Sequence, residues 1–236
     1  MPNDYFQFKQ FIIHQDLCAM KVGTDGVLLG AWAQVGNARR ILDIGTGTGL
    51  IALMIAQRSE AEIDAIEVDQ DAAKQASENV QLSPWKGRVH IHKVSLQEFV
   101  KRVRNYDLIV TNPPFFANAL KASDERRSVA RHNQRLNYSD LMHAVMQMLD
   151  SRGRFCVILP PEVFQQFNDL MNSVEFFPAR QTHVYSKPTL PCIRILAEFS
   201  KENSLPEINQ LIIETNERHN YSSQFINLVK DYYLKL

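Results

Sequence analysis

Two spacings of apolar residues alternate along most of the chain. Short, nearly unbroken apolar runs, the mark of strands buried on both faces, are separated by stretches with the 3.6-residue period of one-sided helices. The runs are Arg40–Ile44 (RILDI), Glu62–Val68 (EIDAIEV), Arg88–Val94, Tyr106–Thr111 (YDLIVT) and Gly153–Leu159 (GRFCVIL). Helices are predicted over Leu50–Gln57, Asp71–Leu82, Leu96–Val103 and Asn137–Asp150, the last with Leu141, Val145, Met148 and Leu149 on one face. Another helix opens at Pro160-Pro161. Three further β-like runs follow (Gln181–Tyr185, Ile193–Phe199 and Ile208–Ile213), and a helix from Ser222 ends the chain. Alternation of strand and helix predicts a mostly parallel sheet with helices on both faces. Before residue 39 the pattern differs. Phe6, Phe8, Phe11 and Ile13 are spaced by polar residues as in a hairpin, and Thr24-Asp25 can cap a short helix through Leu28, Leu29 and Trp32. The chain thus reads as an N-terminal extension, residues 1–38, and one α/β domain, residues 39–236. Residues 116–136 are the most loop-like.

Composition narrows the class. The chain has 236 residues, 45% of them hydrophobic, enough to bury a sizeable core. Formal net charge is zero, so no global basic field draws nucleic acid, and any such contact has to be local. Cys18, Cys156 and Cys192 are odd in number and far apart, which supports neither a disulfide framework nor a zinc site and suggests a reduced, cytoplasmic setting. The start, MPNDYFQFKQ, lacks the basic and apolar regions of a signal peptide. No apolar run approaches the roughly 18 residues of a membrane span.

The first run of the domain leads into Asp43-Ile44-Gly45-Thr46-Gly47-Thr48-Gly49. Glycines between a strand and a helix let a ligand approach the backbone. The spacing is G-x-G-x-G, not the G-x-G-x-x-G of dinucleotide sites. An acid also stands two residues before the first glycine. A pyrophosphate is repelled by Asp43; a ligand carrying an ammonium and a sulfonium, such as S-adenosylmethionine, is attracted. Glu67 ends the second run, about 20 residues beyond the glycines, where a carboxylate can accept ribose hydroxyls. The plain alternative is a tight turn and a solvated strand end.

The fourth run closes in Thr111-Asn112-Pro113-Pro114-Phe115-Phe116. In this topology that strand neighbours the first, so both loops open into one crevice. An exocyclic amine is a poor nucleophile because its lone pair is delocalised. Two acceptors aimed at its N–H groups, the Asn112 side-chain oxygen and the Pro113 carbonyl, favour a tetrahedral nitrogen. The prolines fix φ and hold that carbonyl, and such dipoles act mainly in the transition state. Phe115 offers a face for a planar group. Carbon methylation needs a thiolate, and ribose-oxygen methylation needs a base; the loop holds neither cysteine nor lysine.

Just beyond, KASDERRSVARHNQR places Lys121, Arg126, Arg127, Arg131, His132 and Arg135 against only Asp124 and Glu125. These are candidate phosphate contacts, with a solvated charged face as the alternative. Phe116 and Tyr138 could stack bases or belong to the core. The histidines are scattered, and no metal is assigned. His90 and His92 read as solvent-facing.

These motifs resemble the Rossmann-like class I S-adenosylmethionine-dependent methyltransferases that act on exocyclic or amide nitrogens through an N-P-P-aromatic loop. The lead-in MKVGTDGVLLGAW, with ILDIGTGTGLIALMIAQR, AIEVDQDA, YDLIVTNPPFF and Ala130-Arg131-His132, is similar to bacterial tRNA adenine-N6 methyltransferases that modify the adenine beside the anticodon. The resemblance implies a seven-stranded sheet, S-adenosylmethionine as cofactor and tRNA as partner. It places Asp43, Gly45, Gly47 and Gly49 along the methionine part, Glu67 at the ribose and Val68 beside the cofactor adenine. Lys21, Thr24 and Asp25 close the pocket, with Lys21 suited to the carboxylate. Asn112, Pro113, Pro114 and Phe115 receive the target base. Many relatives carry an aspartate after the third strand; here Ser95 and Leu96 stand there. The same loop also serves guanine-N2 methylation in ribosomal RNA and glutamine-N5 methylation in proteins. A cofactor- and RNA-binding module without catalysis is a third class.

Overall fold

The computed structural model describes residues 3–102, 105–113, 137–217 and 220–235. Two short antiparallel strands, β1 (Tyr5–Gln7) and β2 (Ile12–His14), form the N-terminal hairpin. Helix α1 (Thr24–Trp32) follows, but Gly23 is its N-cap and no side chain caps it. Thr24 and Asp25 therefore lie in its first turn, not at the cap expected of them, and Asp25 is paired elsewhere. The chain continues through β3 (Arg40–Ile44), α2 (Leu50–Ala56), β4 (Glu62–Glu67), α3 (Gln70–Gln81), β5 (Val89–Lys93), α4 (Leu96–Phe99) and β6 (Tyr106–Thr111). It ends with α5 (Tyr138–Met148), β7 (Leu149–Leu159), α6 (Pro161–Asn172), β8 (Phe177–Tyr185), β9 (Cys192–Ser200), β10 (Glu207–Ile212) and α7 (Ser223–Val229).

The strands after β2 make one sheet of eight, ordered β10-β8-β9-β7-β6-β3-β4-β5. Only β9 runs antiparallel to its neighbours. The seven strands implied by resemblance are present, and β10 adds an eighth at the edge, parallel to β8. β6 lies directly beside β3, with Asp43 opposite Val110 and Ile44 opposite Thr111. That register sets the glycine loop next to the asparagine–proline loop.

Local chemistry explains the element ends. Asp69, Asn137 and Ser222 each accept a backbone N–H at the starts of α3, α5 and α7, and Pro161 opens α6. Helix α4 is a single turn, shorter than the pattern suggested. Helix α5 buries Leu141, Val145 and Met148 as expected, while Leu149 already belongs to β7.

Alternate residues of the central strands face two cores. One joins Ile41, Ile63 and Val110 to α1, α2 and the hairpin residues Phe8, Phe11 and Ile13. The other joins Leu42, Ile109 and Phe155 to α5 and α6, and takes in Tyr138, which is core and not a base-stacking surface. Helices α1 and α2 touch through glycines: a Cβ at Gly30 would sit 2.8 Å from the Met54 sulfur, and one at Gly26 3.0 Å from Leu50 Cδ2. Among the described residues, no helix is long and apolar enough to cross a membrane.

Candidate active site

The carboxyl ends of β3, β4 and β6 surround one crevice, as expected at the point where strand order reverses. Its larger chamber, ≈ 520 Å³, is floored by Gly45–Thr48 and walled by Met20–Gly26, with Asn112, Ser186 and Arg194 across it. A narrow slot of ≈ 60 Å³ shares Gly45 with it. Ile44, Ile66, Val68, Val94 and Leu96 make the slot apolar, and Glu67, Ser95 and Gln97 are its polar residues.

The glycine loop turns on three left-handed positions, Gly45 (φ 72°), Gly47 (φ 57°) and Gly49 (φ 84°), which β-carbon-bearing residues rarely adopt. Gly45 and Thr46 donate their N–H groups to the Ile66 carbonyl, 3.0 Å each. Gly47 N–H donates to Glu67 Oε2 at 2.9 Å, and the amides of Val68 and Asp69 donate to Oε1 at 2.8 and 3.0 Å. Three backbone donors thus fix the Glu67 carboxylate at the junction of chamber and slot. Gly49 does different work: it precedes α2 and packs on Ala76, outside the lining of the chamber.

Asp43 lies fully buried. Its Oδ2 accepts the Thr46 hydroxyl at 2.6 Å, and the Ala52 N–H also donates toward the carboxyl; among the described residues its Oδ1 has no partner at full hydrogen-bond geometry. Burial pushes the carboxyl up to about 7, the hydrogen bonds from the Thr46 hydroxyl and the Ala52 amide opposing this and the Glu67 charge adding to it. Across the crevice, the Thr111 hydroxyl donates to the Ile44 carbonyl at 2.8 Å and locks the end of β6 against β3. Asn112 follows, with its Oδ1 buried and, among the described residues, without a hydrogen-bond partner. Pro113 is buried. Pro114, Phe115 and Phe116, and the basic run with Lys121, Arg126, Arg127, Arg131, His132 and Arg135, lie outside the described residues.

Lys21, Thr24 and Asp25 line the chamber, as Val68, Ser95 and Leu96 line the slot. Ser95 also caps α4, accepting Glu98 N–H at 3.3 Å, so a ligand would share its Oγ with the helix. His92 corrects the solvent-facing expectation. Its Nε2 lies 2.6 Å from Asp64 Oδ1, and the Tyr106 hydroxyl donates to Oδ2 of that buried carboxylate at 2.7 Å. His90 fits the expectation better, exposed beside Glu62.

Three functional residues escaped the reading from sequence. The side chain of Asn79, buried on α3, accepts His14 N–H and donates to the carbonyls of His14 and Thr48, 2.9 Å each. It therefore ties the hairpin to the glycine loop. Gln75, one turn earlier, accepts Leu17 N–H at 2.8 Å. A signal existed: both amides lie on the helix face that carries Ala72, Ala76 and Val80, where polar groups need buried partners. Arg194 reaches the chamber from β9 and pairs with Asp25 over 169 positions of sequence, which no local pattern announces.

Comparison with known proteins gives the family and the fold. Residues 21–173 match the family model of the methyltransferase small domain. The chain is 46% identical, over the whole of both chains, to a protein of Parabacteroides distasonis named tRNA1(Val) (adenine(37)-N6)-methyltransferase. It is 47% identical, again end to end, to one of the same name from Trichodesmium erythraeum, and 44% identical, over 97% of this chain and 92% of the other, to one from Yersinia pseudotuberculosis. Among solved structures, a predicted O-methyltransferase of Agrobacterium tumefaciens superposes with a TM-score of 0.68 at 17% identity, covering 88% of this chain and 96% of that one. TYW2 of Pyrococcus horikoshii, in complex with MeSAdo, gives 0.59 at 13% identity, covering 86% and 74%. At such identities the structural matches speak to fold alone.

Proposed function

The chain belongs to the methyltransferase small domain family, and we propose that it transfers a methyl group from S-adenosylmethionine to N6 of adenine 37, beside the anticodon of tRNA1(Val). Relatives of that name match it from end to end. The observation that carries the mechanism is Asn112 Oδ1, a buried acceptor that has no partner among the described residues, on the wall of the crevice that the glycine loop floors.

The residues present suit the cofactor. Asp43, beneath the glycine loop, is a buried carboxyl whose Oδ1 has no partner at full hydrogen-bond geometry among the described residues, and its ionised form suits a cationic group above it. Gly45 and Gly47 would hold the methionine part, with Asp43 buried beneath them and Gly49 shaping the turn; Lys21, whose Nζ donates to the Asn3 carbonyl, would face the carboxylate on leaving that partner. Glu67, already oriented by three amides, has lone pairs left for the ribose. Val68, Ser95 and Leu96 would flank the adenine in the apolar slot. The N-terminal extension, through Lys21, Thr24 and Asp25, covers the pocket. When bound, the cofactor supplies an electrophilic methyl carbon on a sulfonium, with a neutral thioether as leaving group.

The chain's own task is to make an aromatic amine nucleophilic. Asn112 Oδ1 accepts one N–H of the target amine, and the Pro113 carbonyl accepts the other. Both bonds strengthen as the nitrogen becomes tetrahedral and gains positive charge, so they act chiefly in the transition state. No covalent bond to the enzyme forms. After transfer, one proton leaves the amine for solvent. Pro114 stiffens the mount and Phe115 stacks on the extruded base, which leaves a flexible anticodon loop more easily than a duplex. Lys121, Arg126, Arg127, Arg131, His132 and Arg135, next to this loop in sequence, take the RNA phosphates.

The test is methyl uptake from labelled cofactor by transcripts of tRNA1(Val), with ribosomal RNA and a release factor in parallel, and the product nucleotide mapped by mass spectrometry. Label at N6 of adenine 37 is expected. Label confined to a guanine or a glutamine, or none at all, refutes the reading.

A further inference from the structure

We propose that Arg194 is a positioning residue for the cofactor, acting through an ion pair with Asp25 that clasps the Met20–Gly26 wall to the end of β9. This rests on the reading of the crevice as the cofactor site and goes beyond it by assigning a residue that neither the glycine loop nor the asparagine–proline loop contains. Arg194 Nε donates to Asp25 Oδ2 at 2.8 Å, and Nη1 donates to the Ile193 carbonyl at 2.7 Å. Both partners line the chamber together with Asn112 and Gly45.

The place in the fold explains why a clasp is needed here. Helix α1 starts at the chamber, and no side chain caps its first turn. The wall before it, Met20–Gly23, has no regular structure, and Gln15 Oε1 holds it at Val22 N–H, 2.8 Å away. Arg194 supplies an anchor on the far side of the crevice, where Ile195 of β9 lies opposite Leu159, the last residue of β7. At 28% and 24% side-chain exposure, the pair is sheltered enough to exceed the value of a surface bridge, and open enough that losing one partner does not strand a buried charge. A guanidinium suits the position because one rigid group serves a carboxylate and a carbonyl at once; a lysine would serve one. The neighbouring cations are engaged otherwise: Lys21 Nζ donates to the Asn3 carbonyl at 3.3 Å, and Lys187 pairs with Glu214 at 3.9 Å. The wall sets the width of the chamber over Gly45–Thr48. A loosened wall therefore costs affinity for the ligand beneath it.

The experiment is calorimetric titration of RNA-free protein with S-adenosylhomocysteine, on the native chain and on Arg194→Ala, Asp25→Ala, their double variant, the exchange Asp25→Arg/Arg194→Asp, and Arg194→Lys. Each single variant is expected to raise Kd roughly five- to twentyfold. The double variant should be no weaker than the weaker single, the exchange should recover part of the loss, and Arg194→Lys should fall between native and alanine. In steady state the loss should fall on KM for the cofactor more than on kcat. Thermal melting shows that each variant is folded, and any that is not is replaced by Asp25→Asn or Arg194→Gln. Additive losses in the double variant overturn the proposal, as does Arg194→Ala alone abolishing binding, which would make Arg194 a direct ligand. Unchanged Kd with a raised KM for tRNA also overturns it. If the native chain binds no S-adenosylhomocysteine, it is the cofactor reading that fails.

Discussion

Asp43 is a carboxyl group held where its charge is disfavoured. Its folded-state pKa, about 7, lies above the ordinary 3.8 because the group is buried. Between those values the folded chain keeps a proton that the unfolded chain has lost. Folding stability therefore falls as pH rises through this window and levels off above about 7. A cationic ligand beside Oδ1 favours the ionised form, so cofactor binding should expel a proton below neutrality. We expect S-adenosylhomocysteine to bind more tightly at about pH 8 than at about pH 6, with proton release measured by calorimetry in buffers of different ionisation heat. Asp43→Asn should abolish both effects; an unchanged pH dependence in that variant would show that Asp43 is not the titrating group. Asn112 answers a different test. Its alanine variant should lose turnover by roughly 10² to 10³ in single-turnover assays, while Kd for S-adenosylhomocysteine changes by less than about fivefold. Survival of turnover would sink the loop mechanism. The position of both residues around the crevice was legible in sequence, because their place beside the glycines and prolines is itself the motif. The shifted pKa of Asp43 was not, since spacing says nothing about complete burial.

At the scale of elements, the link between α1 and α2 decides whether the wall sits correctly over the glycine loop. A β-carbon at Gly30 would meet Met54 Sδ at 2.8 Å and Met54 Cβ at 3.1 Å. The sulfur can swing away; the β-carbon moves only with helix α2. Gly30→Val should therefore lower stability by ~2–3 kcal/mol in denaturant titration. It should weaken S-adenosylhomocysteine binding as well, since α1 moves with the residues that line the chamber. Loss of stability without loss of affinity would separate the helix contact from the pocket. Strands buried on both faces leave unbroken apolar runs, which is why β3, β4 and β6 were readable almost to the residue. The edge strand β10 was readable as a strand, but its pairing to β8 was not, because neighbours in a sheet are chosen by tertiary packing. The end of α5 was misjudged for a related reason: Leu149 is apolar in either period, and only its place in β7 resolves the ambiguity.

Across the whole molecule, the N-terminal hairpin rests on the C-terminal segment and is tied to the crevice. Phe8 stacks on Phe11 (4.7 Å) and on Tyr233 (5.9 Å), and the Lys9 amide donates to the Tyr232 carbonyl, so the hairpin rests on the C-terminal segment. From there Asn79 carries a fixed path to the glycine loop: one buried side chain bonds both the hairpin residue His14 and Thr48. Ordering of the glycine loop by a ligand should therefore be felt at the hairpin, which does not line the chamber, and coupling of this kind is reciprocal. Hydrogen exchange makes the claim measurable. S-adenosylhomocysteine should slow exchange at the amides of His14 and Leu17 in the native chain. Asn79→Ala removes the shared side chain and strands the His14 and Thr48 groups, at a cost of ~2–4 kcal/mol. In that variant, protection should remain at Gly47 and disappear at His14. Equal protection of His14 in both proteins would show that the hairpin is steadied through the hydrophobic core instead. Absence of protection in the native chain would show that the hairpin is already rigid and takes no part in closing the site.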